Sequence, residues 1–293
     1  MLGRLILKDG TELSGTSFGA RKSISGEVVF TTGMVGYPES LTDPSYQGQI
    51  LVMTYPLVGN YGVPEKKFWE SSGIKVSGLI VSNYIDTPSY YTSKRTLGQW
   101  LAAENIPALE IKDTRALAKK LREQGVMLGK IEFNNSSLRG YSRSNPNEIA
   151  SSSAKRGLLA MTDFLDPNER NLVAEVSTKR VQRFGSGRKK VVLFDCGAKQ
   201  NIVRELLNRK VKVIVVPWDY NVFEKKLKFD GIVISNGPGD PKMAGKTIAI
   251  VKSALAKQIP ILGICLGNQI LTLAAGGDTY KLKFGHRGQN HGA

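Results

Sequence analysis

One short stretch decides the fold: Ile259-Pro-Ile-Leu-Gly-Ile-Cys-Leu-Gly-Asn-Gln-Ile-Leu271. An apolar run, a glycine-x-cysteine-x-glycine turn and a second apolar run at helical spacing predict a buried strand, a sharp bend and a helix. Gly263 and Gly267 would let the strand and the helix approach each other closely. The bend would hold Cys265 in a strained conformation at the carboxyl end of the strand, where the helix N-terminus favours a thiolate. Cys265 is therefore the candidate nucleophile.

A second turn, upstream of the first, bears on the role of Cys265. A free cysteine is usually a buried structural thiol, so the elbow alone leaves both roles open. A strand at 230–235 runs directly into Asn236-Gly-Pro-Gly-Asp-Pro241, and a Gly-Pro-Gly turn exposes backbone N–H groups with no side chains in the way. Adjacent parallel strands would set this turn beside the elbow. A cysteine that faces two converging N–H donors indicates an acyl-transfer site.

The two turns also carry a resemblance. Ser235-Asn-Gly-Pro-Gly-Asp-Pro241 followed by Gly263-Ile-Cys-Leu-Gly267 resembles the class I glutamine amidotransferases. The stretch Gly26-Glu-Val-Val-Phe-Thr-Thr-Gly-Met-Val-Gly-Tyr-Pro-Glu-Ser-Leu-Thr-Asp-Pro-Ser45 resembles the first domain of the glutaminase (small) subunit of carbamoyl phosphate synthetase, which other amidotransferases lack. Phe164-Leu-Asp-Pro-Asn168 and Asp195-Cys-Gly-Ala-Lys199 look like the eukaryotic versions that are fused to the synthetase. The resemblance covers nearly the whole chain, with a gap at about 134–160.

The resemblance implies glutamine hydrolysis through a covalent intermediate. The Cys265 thiolate would attack the side-chain amide carbonyl, ammonia would leave, and water would release the γ-glutamyl thioester. The backbone N–H groups of Gly237 and Leu266 would form the oxyanion hole, and the elbow geometry alone also places a donor at Leu266. These two residues, Gly239 and Gln269 would hold the substrate. Gln269 lies one helical turn from Cys265 and so shares its face of the helix.

A further substrate contact is implied in the N-terminal half. On pattern alone, Thr42-Asp-Pro-Ser-Tyr46 is a polar turn with an Asx cap. In the resembled family the matching serine reaches the glutamine in the neighbouring domain, which implies that Ser45 contacts substrate. The resemblance also implies the partners: L-glutamine, and a carbamoyl phosphate synthetase large subunit or fused synthetase domains that use ATP, Mg and bicarbonate. No cofactor is expected in this chain.

Composition bounds the other classes of function. The chain of 293 residues is long enough for two domains with their own cores. The formal charge of +16 would suit a nucleic-acid partner, but Lys and Arg are spread along the whole sequence without a basic, aromatic platform. We therefore expect a solvated basic surface, or a face that fits an acidic partner domain, and no nucleic acid. No apolar run is long enough to span a bilayer, so no membrane association is expected.

The two cysteines and the N-terminus bear on the compartment. Two cysteines in a chain of this length do not form a disulfide framework. The first residues lead directly into a strand and a turn, and they read neither as a secretory signal nor as a transit peptide. A cytoplasmic protein with reduced thiols is therefore expected.

The pattern divides the chain into three parts. Residues 1–133 are predicted to form a mixed β/α domain, with strands at 5–7, 26–30, 49–54 and 76–81 and helices at 97–104 and 114–123. Residues 134–188 are a loop or linker rich in turn formers, with a short helix near 158–165. Residues 189–293 alternate strand and helix, with a last strand at 279–284, which predicts an incomplete, doubly wound, mainly parallel sheet. The site would lie at the carboxyl ends of its strands.

Several residues weaken or qualify this interpretation. Cys196 lacks the elbow spacing, so we expect a structural thiol, and no Cys or His lies at ligand spacing from it to make a metal site.

His286 and His291 are the only histidines, and we expect them in a surface loop rather than as the general base. The resembled domain continues past Ala293 and its triad histidine and acid lie in that later part, so neither is expected here. Asn268 stands where the family usually has histidine, and forms that rely on free ammonia also carry asparagine there.

Two other functions stay open at this point. The same fold, truncated or lacking a base, would serve as a non-catalytic docking or regulatory module. A flavodoxin-like cofactor binder fits the sheet pattern, but it fits poorly with a cysteine at the elbow, and no Gly-x-Gly-x-x-Gly follows a strand. The sequence also leaves open whether the product would feed pyrimidine or arginine/urea metabolism.

Overall fold

The part of the chain that the structure describes folds into two domains, each built on a β-sheet. The computed structural model describes residues 1–133 and 164–285. The N-terminal part closes its strands into a barrel, and the C-terminal part builds an open five-stranded sheet that carries helices on both faces. The α/β class with a mainly parallel second sheet, as predicted, is confirmed. Of the linker expected at 134–188, residues 134–163 lie outside the described residues.

The N-terminal domain is a closed barrel with helices packed against it. Its elements in chain order are β1 (Leu2–Leu7), β2 (Glu12–Ser17), β3 (Ile24–Thr31), α1 (Tyr37–Thr42), β4 (Gln49–Met53), β5 (Gly78–Val81), α2 (Leu97–Ala103), β6 (Ala108–Glu110), α3 (Thr114–Gln124) and β7 (Met127–Glu132). The strands close in the order β1-β2-β6-β5-β4-β3-β7. The run from β3 through β4 and β5 to β6 is parallel, and the remaining pairs are antiparallel.

The central barrel strands are buried on both faces, which explains their continuous apolar sequence. All five residues of β4 are buried. Ile50 and Val52 face the barrel interior, whereas Leu51 packs outward into a second cluster that contains Trp100 of α2. Because side chains of a strand alternate between its two faces, only an uninterrupted apolar run can fill both the lumen and the layer beneath the helices.

Local signals in the sequence mark the ends of several elements. Gly10 has φ +88° in the turn between β1 and β2. Asp113 caps α3 by accepting a hydrogen bond from the Ala116 N–H at 2.8 Å, and Gly125 follows the helix at φ +96°. These boundaries depend on neighbouring residues alone, so a short stretch of sequence is enough to set them.

The second domain is an open sheet whose strands end at one edge. Its elements are α4 (Leu172–Val176), β8 (Gln182–Phe184), β9 (Lys190–Asp195), α5 (Gln200–Asn208), β10 (Lys212–Pro217), β11 (Gly231–Ile234), α6 (Gly245–Ala256), β12 (Ile261–Gly263) and α7 (Leu266–Ala274). The strand order is β12-β11-β9-β10-β8, and every pair except β10 with β8 is parallel. Since parallel strands share their direction, Cys196, Asn236 and Cys265 all follow strands at the same carboxyl edge.

Helices cover this sheet on both faces. Phe194 and Ile234 pack with Ile250 and Ile270, which belong to α6 and α7. On the opposite face, Val213 packs with Val203 of α5 and with its partly buried neighbours. The two apolar clusters make the sheet doubly wound, as predicted.

Three features of this region differ from the prediction or lie outside the described residues. The strand expected at 279–284 is wrong, because no residue in that range pairs with the sheet. This segment packs on the barrel domain instead, where the Lys283 carbonyl accepts from the Val126 N–H at 2.8 Å and Lys281 pairs with Glu27 at 2.6 Å. The antiparallel edge strand β8 was not predicted. The short helix expected near 158–165 lies outside the described residues except for its last two, which are not helical.

Candidate active site

The bend at Cys265 has the geometry that the sequence predicted for an elbow. Cys265 lies between β12 and α7 with φ +54° and ψ −111°, and its side chain is exposed. A left-handed conformation is strained for a residue other than glycine and persists only where its surroundings impose it. A β-carbon at Gly267 would overlap the Ile234 carbonyl oxygen, and one at Gly263 would lie 2.5 Å from the Gly267 carbonyl oxygen. The two glycines therefore let the helix approach β11 and β12 closely enough to form the bend.

The Gly-Pro-Gly turn lies beside this bend. β11 and β12 pair with Ile234 opposite Gly263, and the Ile264 N–H donates to the Ile234 carbonyl at 2.9 Å. Three residues further along each strand come Gly237 and Leu266. A β-carbon built on Gly237 would be 2.8 Å from Leu266 Cδ2 and would overlap the Cys196 carbonyl oxygen. The two predicted oxyanion donors are therefore neighbours, and Leu266 begins a helix whose first N–H groups have no intrahelical acceptor.

The other predicted substrate residues surround the same edge of the sheet. Gly239 has φ +79° in the turn, and Gln269 is exposed in the first turn of α7. Ser45 lies in the other domain, in a short 3₁₀ turn, and its N–H donates to Asp43 Oδ1 at 2.9 Å, which is the predicted Asx cap. The Ser45 hydroxyl accepts from Asn236 Nδ2 at 2.8 Å. This bond brings Ser45 to the residue that precedes Gly237.

Three charged or polar residues at this junction were missed by the sequence analysis. Asp43 is 5% exposed, and its Oδ2 pairs with Lys199 Nζ at 2.8 Å across the boundary between the domains. Asn236 is also buried, and its Nδ2 lies 3.3 Å from Asp43 Oδ1. Each of the three lies in or beside a stretch that the sequence analysis had quoted, but the pattern gave no sign that they meet.

Electrostatics at the junction keep Lys199 charged. Burial works against its ammonium group, but the nearby Asp43 carboxylate outweighs that effect, and Glu70 and a Cys265 thiolate add to it, so the pKa of Lys199 is raised above its ordinary value. Lys199 therefore stays charged at neutral pH.

Cys196 has the surroundings of a structural thiol. Its side chain is fully buried in the second domain, and burial, followed by the charge of Asp195, raises the pKa of the thiol well above its ordinary value. Such a thiol is unreactive at neutral pH.

Asn268 is exposed in the first turn of α7, where its backbone N–H donates to the Cys265 carbonyl at 2.9 Å. His286 and His291 lie outside the part of the chain that the structure describes.

Comparison with known families accounts for both domains. Residues 5–131 match the model of the carbamoyl-phosphate synthase small chain, CPSase domain, and residues 192–293 match the model of the class-I glutamine amidotransferases. The chain belongs to the carbamoyl-phosphate synthase small-chain family. Its second domain is a class-I glutamine amidotransferase domain, which is the glutaminase component of these synthases.

Its relatives are much longer proteins. The chain is 45% identical over 313 residues to the multifunctional protein URA2 of Saccharomyces cerevisiae, a match that covers 98% of this chain and 14% of the relative. It is 46% identical over 300 residues to the multifunctional protein CAD of Squalus acanthias, covering 99% and 12%. A human protein named carbamoyl-phosphate synthase (ammonia), mitochondrial, is 43% identical over 298 residues, covering 98% and 18%. The chain thus spans less than a fifth of the length of these relatives.

A comparison with solved structures and the apolar character of the helices add little to this assignment. A solved aminopeptidase from Aneurinibacillus sp. strain AM-1 has a TM-score of 0.30 at 9% identity, with 94% of this chain and 70% of that chain covered, which supports no argument about fold. In residues 1–133 and 164–285, none of the helices combines the length and the apolar character that a bilayer crossing needs.

Proposed function

We propose that this chain hydrolyses glutamine at Cys265 and supplies the ammonia to a carbamoyl phosphate synthetase. One observation carries the proposal: Cys265 is exposed in a left-handed bend, and Gly237 and Leu266 come together beside it. This arrangement supports an acyl-transfer site, because an accessible nucleophile then lies next to N–H groups that can hold a developing oxyanion.

The proposed chemistry proceeds in two steps. The Cys265 thiol gives up its proton and the thiolate attacks the side-chain amide carbon of glutamine, while the N–H groups of Gly237 and Leu266 stabilise the oxyanion. The carbon–nitrogen bond then breaks, and the leaving nitrogen takes up that proton and departs as ammonia. Water then attacks the resulting γ-glutamyl thioester, releases glutamate and regenerates the thiol. Ser45, Gly239 and Gln269 hold the substrate in this scheme.

Membership of the family supports the proposed partners. We propose fused synthetase domains or a separate large subunit as the acceptor of ammonia, with ATP, Mg and bicarbonate used there and no cofactor in this chain. Two free cysteines suit a reducing compartment, and we propose the cytoplasm, with pyrimidine or arginine/urea metabolism as the destination of the product. The mitochondrion, which is part of the name of the human relative, is the alternative compartment.

Glutamate release tests the proposal. The purified chain is incubated with L-glutamine, alone and with a carbamoyl phosphate synthetase large subunit, beside a matched Cys265→Ser variant. Because no general base is expected in this chain, we expect slow glutamate release from the native chain, more of it with the large subunit, and none above background from the variant. Equal release by both proteins would contradict the proposal, and so would a Cys265 that glutamine does not protect from a glutamine-like chloroketone.

A non-catalytic docking or regulatory module is the second candidate, and one observation favours it. Asn268 occupies the place where the family usually has histidine, and one group of relatives carries ammonia in its name. For such a module, glutamine would still protect Cys265 from alkylation, but no glutamate would form at any concentration of the large subunit.

A further inference from the structure

We infer that Asp43 is a positioning residue for the glutamine site. Its carboxylate fixes the side-chain amide of Asn236, and that amide in turn fixes the Ser45 hydroxyl as a hydrogen-bond donor toward the substrate. The inference rests on the proposed function, since Ser45 has a substrate to contact only if glutamine binds beside Cys265.

The Asp43 carboxylate is buried and has partners on both of its oxygens. Oδ1 accepts from the Ser45 N–H at 2.9 Å and from Asn236 Nδ2 at 3.3 Å, and Oδ2 pairs with Lys199 Nζ at 2.8 Å. A carboxylate that is 5% exposed is costly to bury without such partners. Two of the three belong to the other domain, so Asp43 has its full set of partners only when the domains are docked.

The Asn236 amide has one orientation that satisfies all its neighbours. Its Oδ1 accepts from the Lys199 backbone N–H at 3.1 Å, which leaves Nδ2 to face Asp43 and Ser45. A flipped amide would turn its oxygen toward the Asp43 carboxylate and its NH₂ toward another donor. The negative charge of Asp43 therefore selects the orientation in which Nδ2 donates to Ser45.

This orientation determines the direction of the Ser45 hydroxyl. Ser45 Oγ accepts from Asn236 Nδ2 at 2.8 Å, so its own hydrogen is left to donate to an acceptor atom of a ligand. Asn236 directly precedes Gly237, so the same amide ties the serine to the proposed oxyanion turn. Loss of the Asp43 charge would release the amide, and the Ser45 hydroxyl would lose its preferred direction. The expected consequence is weaker substrate recognition with little change in the reactivity of Cys265.

The test separates recognition from thiol reactivity. A chloroketone analogue of glutamine alkylates Cys265, and intact-mass spectrometry gives the limiting rate and the half-saturation concentration for the native chain, Asp43→Asn, Ser45→Ala and the double variant. Iodoacetamide, which has no glutamine-like part, measures the intrinsic reactivity of the thiol. Arg204→Met is the matched control, because Arg204 also crosses the domain boundary, donating to the Lys67 carbonyl at 2.8 Å, without touching Ser45 or Asn236.

We expect Asp43→Asn to raise the half-saturation concentration about tenfold, because it loses one charge-assisted hydrogen-bond network. The iodoacetamide rate and the limiting rate should be nearly unchanged. The double variant should be no worse than Ser45→Ala alone, since both substitutions remove the same contact. Arg204→Met should leave the half-saturation concentration unchanged.

Other outcomes would overturn the inference. Asp43→Asn behaving like the native chain, additive effects in the double variant, or an equal change in Arg204→Met would each contradict it. If Asp43→Asn does not fold, Asn236→Ala must raise the half-saturation concentration to the level of Ser45→Ala, and a native value would count against the inference. Alkylation of the native chain that does not saturate would instead refute the proposed function.

Discussion

The Asn236 side-chain amide donates to the Ser45 hydroxyl at 2.8 Å and joins two residues that are 191 positions apart in the chain. Asn236 follows β11 at the carboxyl edge of the open sheet, and Ser45 lies in the turn that follows α1 of the barrel domain. The candidate site is therefore shared between domains, and if glutamine binds there as proposed, changes at their boundary reach it without touching Cys265.

The two cysteines should differ sharply in reactivity. Cys265 is exposed, whereas Cys196 is fully buried with a raised pKa, so iodoacetamide at pH 8 should add one equivalent, at Cys265. Peptide mapping by mass spectrometry identifies the modified residue. Cys265→Ser should react at least about 50-fold more slowly than Cys196→Ser, because burial both excludes the reagent and disfavours the thiolate. Comparable labelling of the two variants would contradict the elbow geometry.

Gly267 should be intolerant of even a methyl group. A β-carbon there would overlap the Ile234 carbonyl oxygen and lie 2.9 Å from Ile234 Cβ, so α7 must move away from β11. Gly267→Ala should lower the free energy of urea unfolding by about 1–3 kcal/mol, the usual cost of overpacking. Gly245→Ala is the matched control, because nothing lies within 4 Å of its β-carbon and it begins α6. It should be neutral or slightly stabilising, and equal losses in both variants would refute the close approach.

The barrel domain should lose stability at alkaline pH through Tyr61. The pKa of Tyr61 is raised to about 12, mainly because the side chain is buried. Its hydroxyl accepts a hydrogen bond from the Gly36 N–H at 2.8 Å. The neutral phenol is thus favoured in the folded state, and its contribution is complete below pH about 10, the pKa of an unfolded tyrosine. Between about pH 10 and 12 the unfolded state releases its proton first, so stability falls as pH rises.

Urea unfolding at a series of alkaline pH values measures this fall. Tyr61→Phe keeps the ring that stacks on Tyr37 at 4.2 Å but removes the titrating hydroxyl, so its stability should fall less steeply above pH about 10. The same slope in both proteins would show that other groups carry the alkaline sensitivity.

The elbow shows what the sequence could reveal. Gly263, Cys265 and Gly267 mark the bend within one short stretch, because only glycine at the two flanking positions lets α7 approach β11 and β12, so a pattern of five residues sufficed to predict strand, bend and helix. The helix cap at Asp113 is local in the same way.

Contacts between distant segments could not be predicted in this way. The barrel closes because β1 pairs with β7, with Leu5 opposite Ile131, and neither strand carries a mark of its partner. The segment 279–284 has strand composition, yet it packs against the barrel rather than the sheet, and there Lys281 pairs with the buried Glu27. The sequence predicted an Asx cap in the turn at Asp43, and the structure has it. The pairing of Asp43 with Lys199, in contrast, depends on how the two domains dock.

The docking itself can be probed at Glu70, a buried residue of the barrel domain that caps a helix of the other domain. Its Oε2 accepts from the Asn201 N–H at 2.9 Å, and its backbone carbonyl accepts from the Gln200 N–H at 2.8 Å, so the first turn of α5 finds its acceptors across the boundary. Arg204 of the same helix lies 3.5 Å from Oε1. A carboxylate at this position satisfies free N–H groups, complements the helix dipole and pairs with an arginine.

Glu70→Gln keeps the shape and one acceptor but removes the charge, so the first turn of α5 should open more often. Hydrogen exchange at the Gln200 and Asn201 amides, followed by mass spectrometry, should accelerate about tenfold, which corresponds to about 1.4 kcal/mol. Glu205→Gln makes the same chemical change on the exposed side of α5, where Glu205 pairs with Arg209 in solvent, and should leave the exchange of these amides unaltered. Acceleration by both substitutions would point to a general weakening of the helix, whereas acceleration by neither would mean that the barrel domain does not hold the start of α5.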